Sequence, residues 1–132
     1  MELSCPYGFG KIVTLPFADT VQRVRTALAE EGFGILTEID VPAKLREKLG
    51  IEFRPYLILG ACNPRLAHRA LQIEINLGLL LPCNVVVYAE GEGRTAVLAM
   101  DPVAALSVVD NPAMAEIAGQ VRELLAKVVD RI

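Results

Sequence analysis

At 132 residues the chain has the length of one ordinary domain (1–132) and can bury a core without disulfide or metal staples. Hydrophobic residues make up 53% and charged residues 22%, with a net charge of −3 and a pI near 5.2, so the composition is globular and lacks the clustered Lys and Arg of a general nucleic-acid binder. Trp is absent and only three Tyr and four Phe are present, which leaves a base-stacking platform poorly supplied.

The first residues, Met1-Glu2-Leu3-Ser4-Cys5-Pro6, have neither the basic start nor the apolar stretch of a signal peptide. The apolar runs all fall far short of the ~20 residues that a membrane span needs. Three cysteines in such a chain suggest free thiols in a reducing compartment, so a cytoplasmic location with no membrane contact is expected. Residues 9–15 read as a strand closed by Pro16. Val21, Val24 and Leu28 then recur at helical spacing, and Gly32 ends that helix where a left-handed residue is wanted.

Residues 34–41 alternate, with Ile35, Thr37, Ile39 and Val41 on one side and Leu36, Glu38 and Asp40 on the other. Two acids on one face predict a wet side and an antiparallel sheet covered on the other side only. Glu38 and Asp40 also invite an acid–base reading, but a solvated strand face explains them as well. Pro42 opens a short helix that Gly50 ends, and residues 53–61 are apolar on both faces, as in a central strand.

Pro64 starts a helix through about Ile75, with Leu66, Ala67, Ala70, Leu71 and Ile73 inward. Residues 77–82, Leu-Gly-Leu-Leu-Leu-Pro, read as an extended return. Residues 85–90 and 94–100 form a hairpin around Gly91-Glu92-Gly93. Asp101-Pro102 begins a helical turn, and Asn111-Pro112 begins a final helix with Ile117, Val121, Leu124, Leu125 and Val128 as its apolar stripe. The order gives an α+β layered domain with a mainly antiparallel sheet of about five strands.

The strongest functional lead is a pair of similar settings, Cys62-Asn63-Pro64 and Pro82-Cys83-Asn84. Asn and Pro are the preferred N-cap and first helical residue, and Asp101-Pro102 and Asn111-Pro112 repeat that grammar, so Asn63 and Pro64 are explained without function. A thiol near a helix N-terminus can have a lowered pKa, whereas a small cysteine at a strand end is also ordinary packing. The intervening helix advances about 18 Å, and an extended return covers about 23 Å. The two lengths nearly cancel, which predicts that Cys62 and Cys83 sit at one edge of antiparallel neighbours.

His68, the single histidine, would complete a Cys2His site, but no fourth ligand or close ligand spacing exists, so no metal and no cofactor are expected. A cysteine redox couple fits the inventory better than a hydrolase elbow or a phosphate loop, although the Cys-x-x-Cys spacing is missing. Leu79, Leu80 and Leu81 suit either a pocket for a small apolar ligand or a subunit interface, and mean hydropathy of +0.42 makes a homodimer the expectation.

The run Leu59-Gly60-Ala61-Cys62-Asn63-Pro64, followed by Gly78 through Val85 with Pro82-Cys83-Asn84, resembles the prokaryotic family Domain of Unknown Function 302. Gly32-Phe33-Gly34, residues 38–41 and Asp101-Pro102 are similar to it too. The resemblance implies a curved, single-layer antiparallel sheet with helices on one face, in a TATA-binding-protein-like arrangement, and a homodimer. It implies Cys62, Asn63, Pro64, Pro82, Cys83 and Asn84 as hallmark positions and leaves out Cys5 and His68. It supplies no activity, and fold likeness to a DNA-binding protein confers no DNA binding. Two readings therefore stand: a homodimeric ligand-binding or interaction domain, or a thiol-based redox or metal-handling protein using Cys62 and Cys83, so that enzymatic activity stays open.

Overall fold

The computed structural model describes residues 1–132. Six strands form one antiparallel sheet: β1 (Glu2–Cys5), β2 (Gly8–Val13), β3 (Gly34–Asp40), β4 (Tyr56–Cys62), β5 (Cys83–Gly91) and β6 (Arg94–Met100), in the order β1-β2-β6-β5-β4-β3. The helices are α1 (Phe17–Glu30), α2 (Val41–Leu49), α3 (Pro64–Ile73), α4 (Pro102–Ala105) and α5 (Pro112–Asp130). The α+β architecture is the expected one, with one strand more than the sequence pattern suggests. The addition is β1, a four-residue segment whose only large apolar residue is Leu3; pairing to β2, not patterning, makes it a strand.

Helix starts follow the Asx–Pro grammar. Asn63, Asp101 and Asn111 each accept a backbone N–H through the side chain, from Leu66 (3.2 Å), Val103 (2.9 Å) and Ala113 (2.9 Å). Asp40 does the same for α2, taking the Ala43 N–H at 3.0 Å, so this acid is a cap, not half of an acid–base pair. Glu38 is held by an ion pair to Arg25 of α1. Gly32 and Gly50 end α1 and α2 with φ of +82° and +67°.

The core lies between one sheet face and the long helices. Val24, Ala27 and Leu28 of α1 and Met114, Ile117, Val121, Leu125 and Val128 of α5 bury against Leu59, Val85, Val87, Val97 and Ala99. Leu124, assigned to the stripe, is only partly buried beside that core. Arg122 fixes the outer flank of α5 by ion-pairing with Asp101 at 3.1 Å and lying 4.7 Å above the Phe9 ring.

Three local expectations are corrected. Residues 77–82 are not an extended return: a 3-10 helix spans Ile75–Leu80, started by the Glu74 side chain accepting the Asn76 N–H at 3.0 Å. Ile73 does not face the core; α3 ends at that residue and leaves it exposed. In β3, Ile35 and Ile39 do not share a face. A register shift between Ile35 and Thr37 turns the chain over, so Ile35 stands opposite Ala61 on the helix side while Ile39 stands opposite Ile58 on the other.

Candidate functional site

Strand register assigns every side chain to one of two faces, because residues directly opposite share a face and successive residues alternate. Leu59 opposes Val85, and Ala61 opposes Cys83, all on the helix-covered face. The uncovered face carries the other set: Tyr56 opposite Tyr88, Ile58 opposite Val86, Gly60 opposite Asn84, and, continuing across β6, Leu98 opposite Val86 and Ala96 opposite Tyr88. These residues are mostly apolar. An antiparallel sheet with one face open to water ordinarily shows polar residues there. Strands β4 to β6 are instead patterned for cover on both sides, while the helices supply it on one.

The register divides the two Asx–Cys motifs among different duties. Cys62 and Cys83 lie at the same end of the β4–β5 pair, since Ala61 is the residue opposite Cys83. They point to opposite faces, however, and no bonded cysteine pair forms: Cys5, Cys62 and Cys83 are all free thiols. Cys83 is buried in the core, and burial, with a smaller contribution from Cys62, pushes its thiol up to about 11. Burial also raises the Cys62 thiol above its ordinary value.

Asn63 and Pro64 cap and open α3. Pro82 follows a cis peptide bond and packs its ring close over Gly60, where a Cβ would fall 2.7 Å from Pro82 Cγ and 2.2 Å from Thr37 Oγ1. Asn84, like Cys62, takes the open side; it is exposed, and its amide makes no hydrogen bond within the protein. His68 is exposed on α3, and no three His, Cys, Asp or Glu side chains converge as a metal site would require. Leu79 and Leu80 line a groove of about 480 Å³ with Ile73, Leu77, Val108 and Val109, away from the cysteines, and Leu79 is 89% exposed.

A second groove, of about 380 Å³, runs over the uncovered sheet face. Val86 and Leu98 lie along it, with Tyr56 and Tyr88 at one end and Asn84, Met100 and Cys5 toward the other, and the Tyr7 side chain comes near enough to Tyr56 to act on its phenol. Tyr7 comes from the β1–β2 turn, anchored where its carbonyl accepts the Asp101 N–H at 2.9 Å. The Tyr56 and Tyr88 rings are stacked, with centroids 5.3 Å apart and planes 8° from parallel. All three tyrosines of the chain therefore meet at one site. Burial, then the neighbouring Tyr88 and Tyr7 hydroxyls, raise the Tyr56 phenol above its ordinary value, so it stays neutral through the physiological range. No charged side chain lines the groove.

The tyrosine cluster leaves no motif in the sequence, because its members, at positions 7, 56 and 88, share no spacing. The signal that points to it is indirect: a strand apolar on both faces in a chain with few aromatics.

The fold and site define an open-faced α+β domain with an apolar, tyrosine-lined groove on its bare sheet surface. The chain belongs to the family described as Domain of unknown function DUF302, which matches residues 9–132. A solved structure, that of an uncharacterized conserved protein DUF302 from Bacillus stearothermophilus, is similar to it with a TM-score of 0.86 and 36% sequence identity. That likeness covers 95% of this chain and 97% of the other. No curated protein matches the chain.

Proposed function

We propose that the protein is a ligand-binding domain whose site is the groove on the uncovered sheet face. The observation that carries this is the apolar lining of a sheet surface that no helix covers, gathered around three tyrosines and an unbonded Asn84 amide. Water gains nothing from such a surface, and a small apolar ligand removes it from solvent at about 25 cal/mol per Å². A cytoplasmic setting and a homodimer accompany this reading. The exposed Ile75, Leu79 and Val108 offer apolar surface for a second copy away from the groove. No helix of the chain is long and apolar enough to cross a membrane. The thiol reading has less support, because both thiols of the hallmark motifs are shifted away from the reactive thiolate.

The test is a blocking substitution. Val86→Arg places a charged, bulky side chain on the groove floor without touching the core face. A neutral solvatochromic dye such as Nile red is expected to bind the wild-type chain and to lose at least tenfold in affinity for the variant, with the thermal midpoint little changed. Equal dye binding by both proteins would remove the groove as the site.

A further inference from the structure

We infer that the ligand is a planar, uncharged aromatic of two or three fused rings with an amide-type edge, a heterocyclic lactam, stacked on the Tyr56–Tyr88 pair and paired to the Asn84 carboxamide. This rests on the groove being the binding site. Three observations narrow the class from apolar compounds in general.

The first is shape. Two parallel tyrosine rings across neighbouring strands already form a stack, and a flat ring extends that stack with its own face. A flexible alkyl chain gains burial there but no stacking. The second is charge. The residues that line the groove contain no carboxylate, ammonium or guanidinium, and Tyr56 resists ionisation. A charged ligand entering the groove would lose hydration with nothing to replace it.

The third is the polar end. Asn84 and Tyr88 lie on one strand, four residues apart and on the same face, so about 13 Å separates them at ~3.3 Å per residue. Val86 stands midway between them. A three-ring molecule lying over Val86 and Leu98 spans this distance. The carboxamide of Asn84 offers one acceptor and a donor pair with no protein partner, which matches the adjacent N–H and C=O of a lactam. A groove of about 380 Å³ is at the small end of ligand pockets, which suits a compact rigid molecule.

The experiment compares probes of one size on the full chain. Benzo[g]quinolin-2(1H)-one is planar, neutral and carries the lactam on a terminal ring, so that the edge can reach Asn84 while the far ring lies at Tyr88; its perhydro counterpart keeps the edge without the aromatic plane; anthracene-2-carboxylate keeps the plane and adds a charge. Affinities come from titration calorimetry. Location comes from NMR of ring-labelled tyrosine, which gives signals only from residues at the site.

The expected result is that the lactam binds at least tenfold more tightly than either comparison probe and moves the Tyr56 and Tyr88 ring signals. Tyr88→Leu should remove most of that preference and Tyr88→Phe should keep it. Asn84→Leu should weaken the lactam roughly three- to tenfold, the scale of one or two neutral hydrogen bonds. If Nile red binds while the perhydro compound or the carboxylate matches the lactam, or while none of the three binds, the aromatic-lactam class is overturned and the groove reading stands. If no probe and no dye binds, both fall. Tyrosine signals that shift with protein concentration alone, together with dimer formation by sedimentation, would give the groove to a second copy and overturn the proposal.

Discussion

At the scale of single residues, the two cysteines of the hallmark motifs separate by environment. Cys83 opens β5 with its side chain in the core, and its thiol is pushed up to about 11 by burial first and by Cys62 second. Its effect on stability has a definite sign. The unfolded thiol ionises near pH 8.5–9, whereas the folded one holds its proton to higher pH, so the stability is fully present below the unfolded value and is lost as pH rises through about 11. The loss amounts to about 2–3 kcal/mol for a shift of this size. Urea unfolding at about pH 8 and above pH 11 should show it, and Cys83→Ala should reduce the alkaline loss by that amount. The same burial makes Cys83 inert to iodoacetamide in the folded state while exposed Cys5 labels first. A Cys62 or Cys83 that labels faster than Cys5 near neutral pH would revive thiol chemistry.

At the scale of elements, pairing and packing select among sequence patterns. Strands β2 and β6 approach so closely that a Cβ at Gly10 would lie 1.8 Å from the Val97 carbonyl oxygen and 2.7 Å from its carbon. Backbone cannot yield as a flexible side chain does, so Gly10→Ala must part the two strands. The expected cost is about 3 kcal/mol or more, at or above the upper end of ordinary overpacking, read as a lowered urea midpoint with an unchanged slope. Gly91→Ala, which meets nothing within 4 Å, serves as the control. Several elements are legible in the amino-acid sequence alone. The Asx–Pro starts of α3, α4 and α5 and the glycine ends of α1 and α2 depend only on local backbone chemistry, and they fall where residues 32, 50, 63, 101 and 111 place them. Those that are not legible depend on partners. Strand β1 exists through its pairing with β2 and the bulge in β3 through its register against β4. The 3-10 helix is the exception: its Glu74 cap is local, and Gly78 and Pro82 mask it by resembling breaks in the chain.

At the scale of the whole molecule, the sheet's two faces have unequal cover. Helices α1 and α5 bury one face, and the other keeps Ile58, Val86, Leu98 and Met100 half-buried at best. The groove there brings together the β1–β2 turn, β4, β5 and β6, elements separated by most of the chain. The Val86→Arg variant and the probe comparison both belong to this scale, because they ask what completes an unfinished layer. By itself, the sequence determined what short-range chemistry controls: the α+β class and the helix boundaries set by Asx–Pro and glycine. It also carried the family hallmark. Strands β4 and β5 are the antiparallel neighbours expected, but the chain returns through a 3-10 helix and not by the extended path on which that expectation rested. Only the tertiary structure decided which face each hallmark residue takes, sending Cys83 inward and Asn84 outward by the two-residue alternation of β5. It alone brought Tyr7, Tyr56 and Tyr88 together. The reason is physical: capping and turn preferences act within a few residues, whereas a groove on a sheet is made by strand order and register, which join residues with no fixed spacing along the chain.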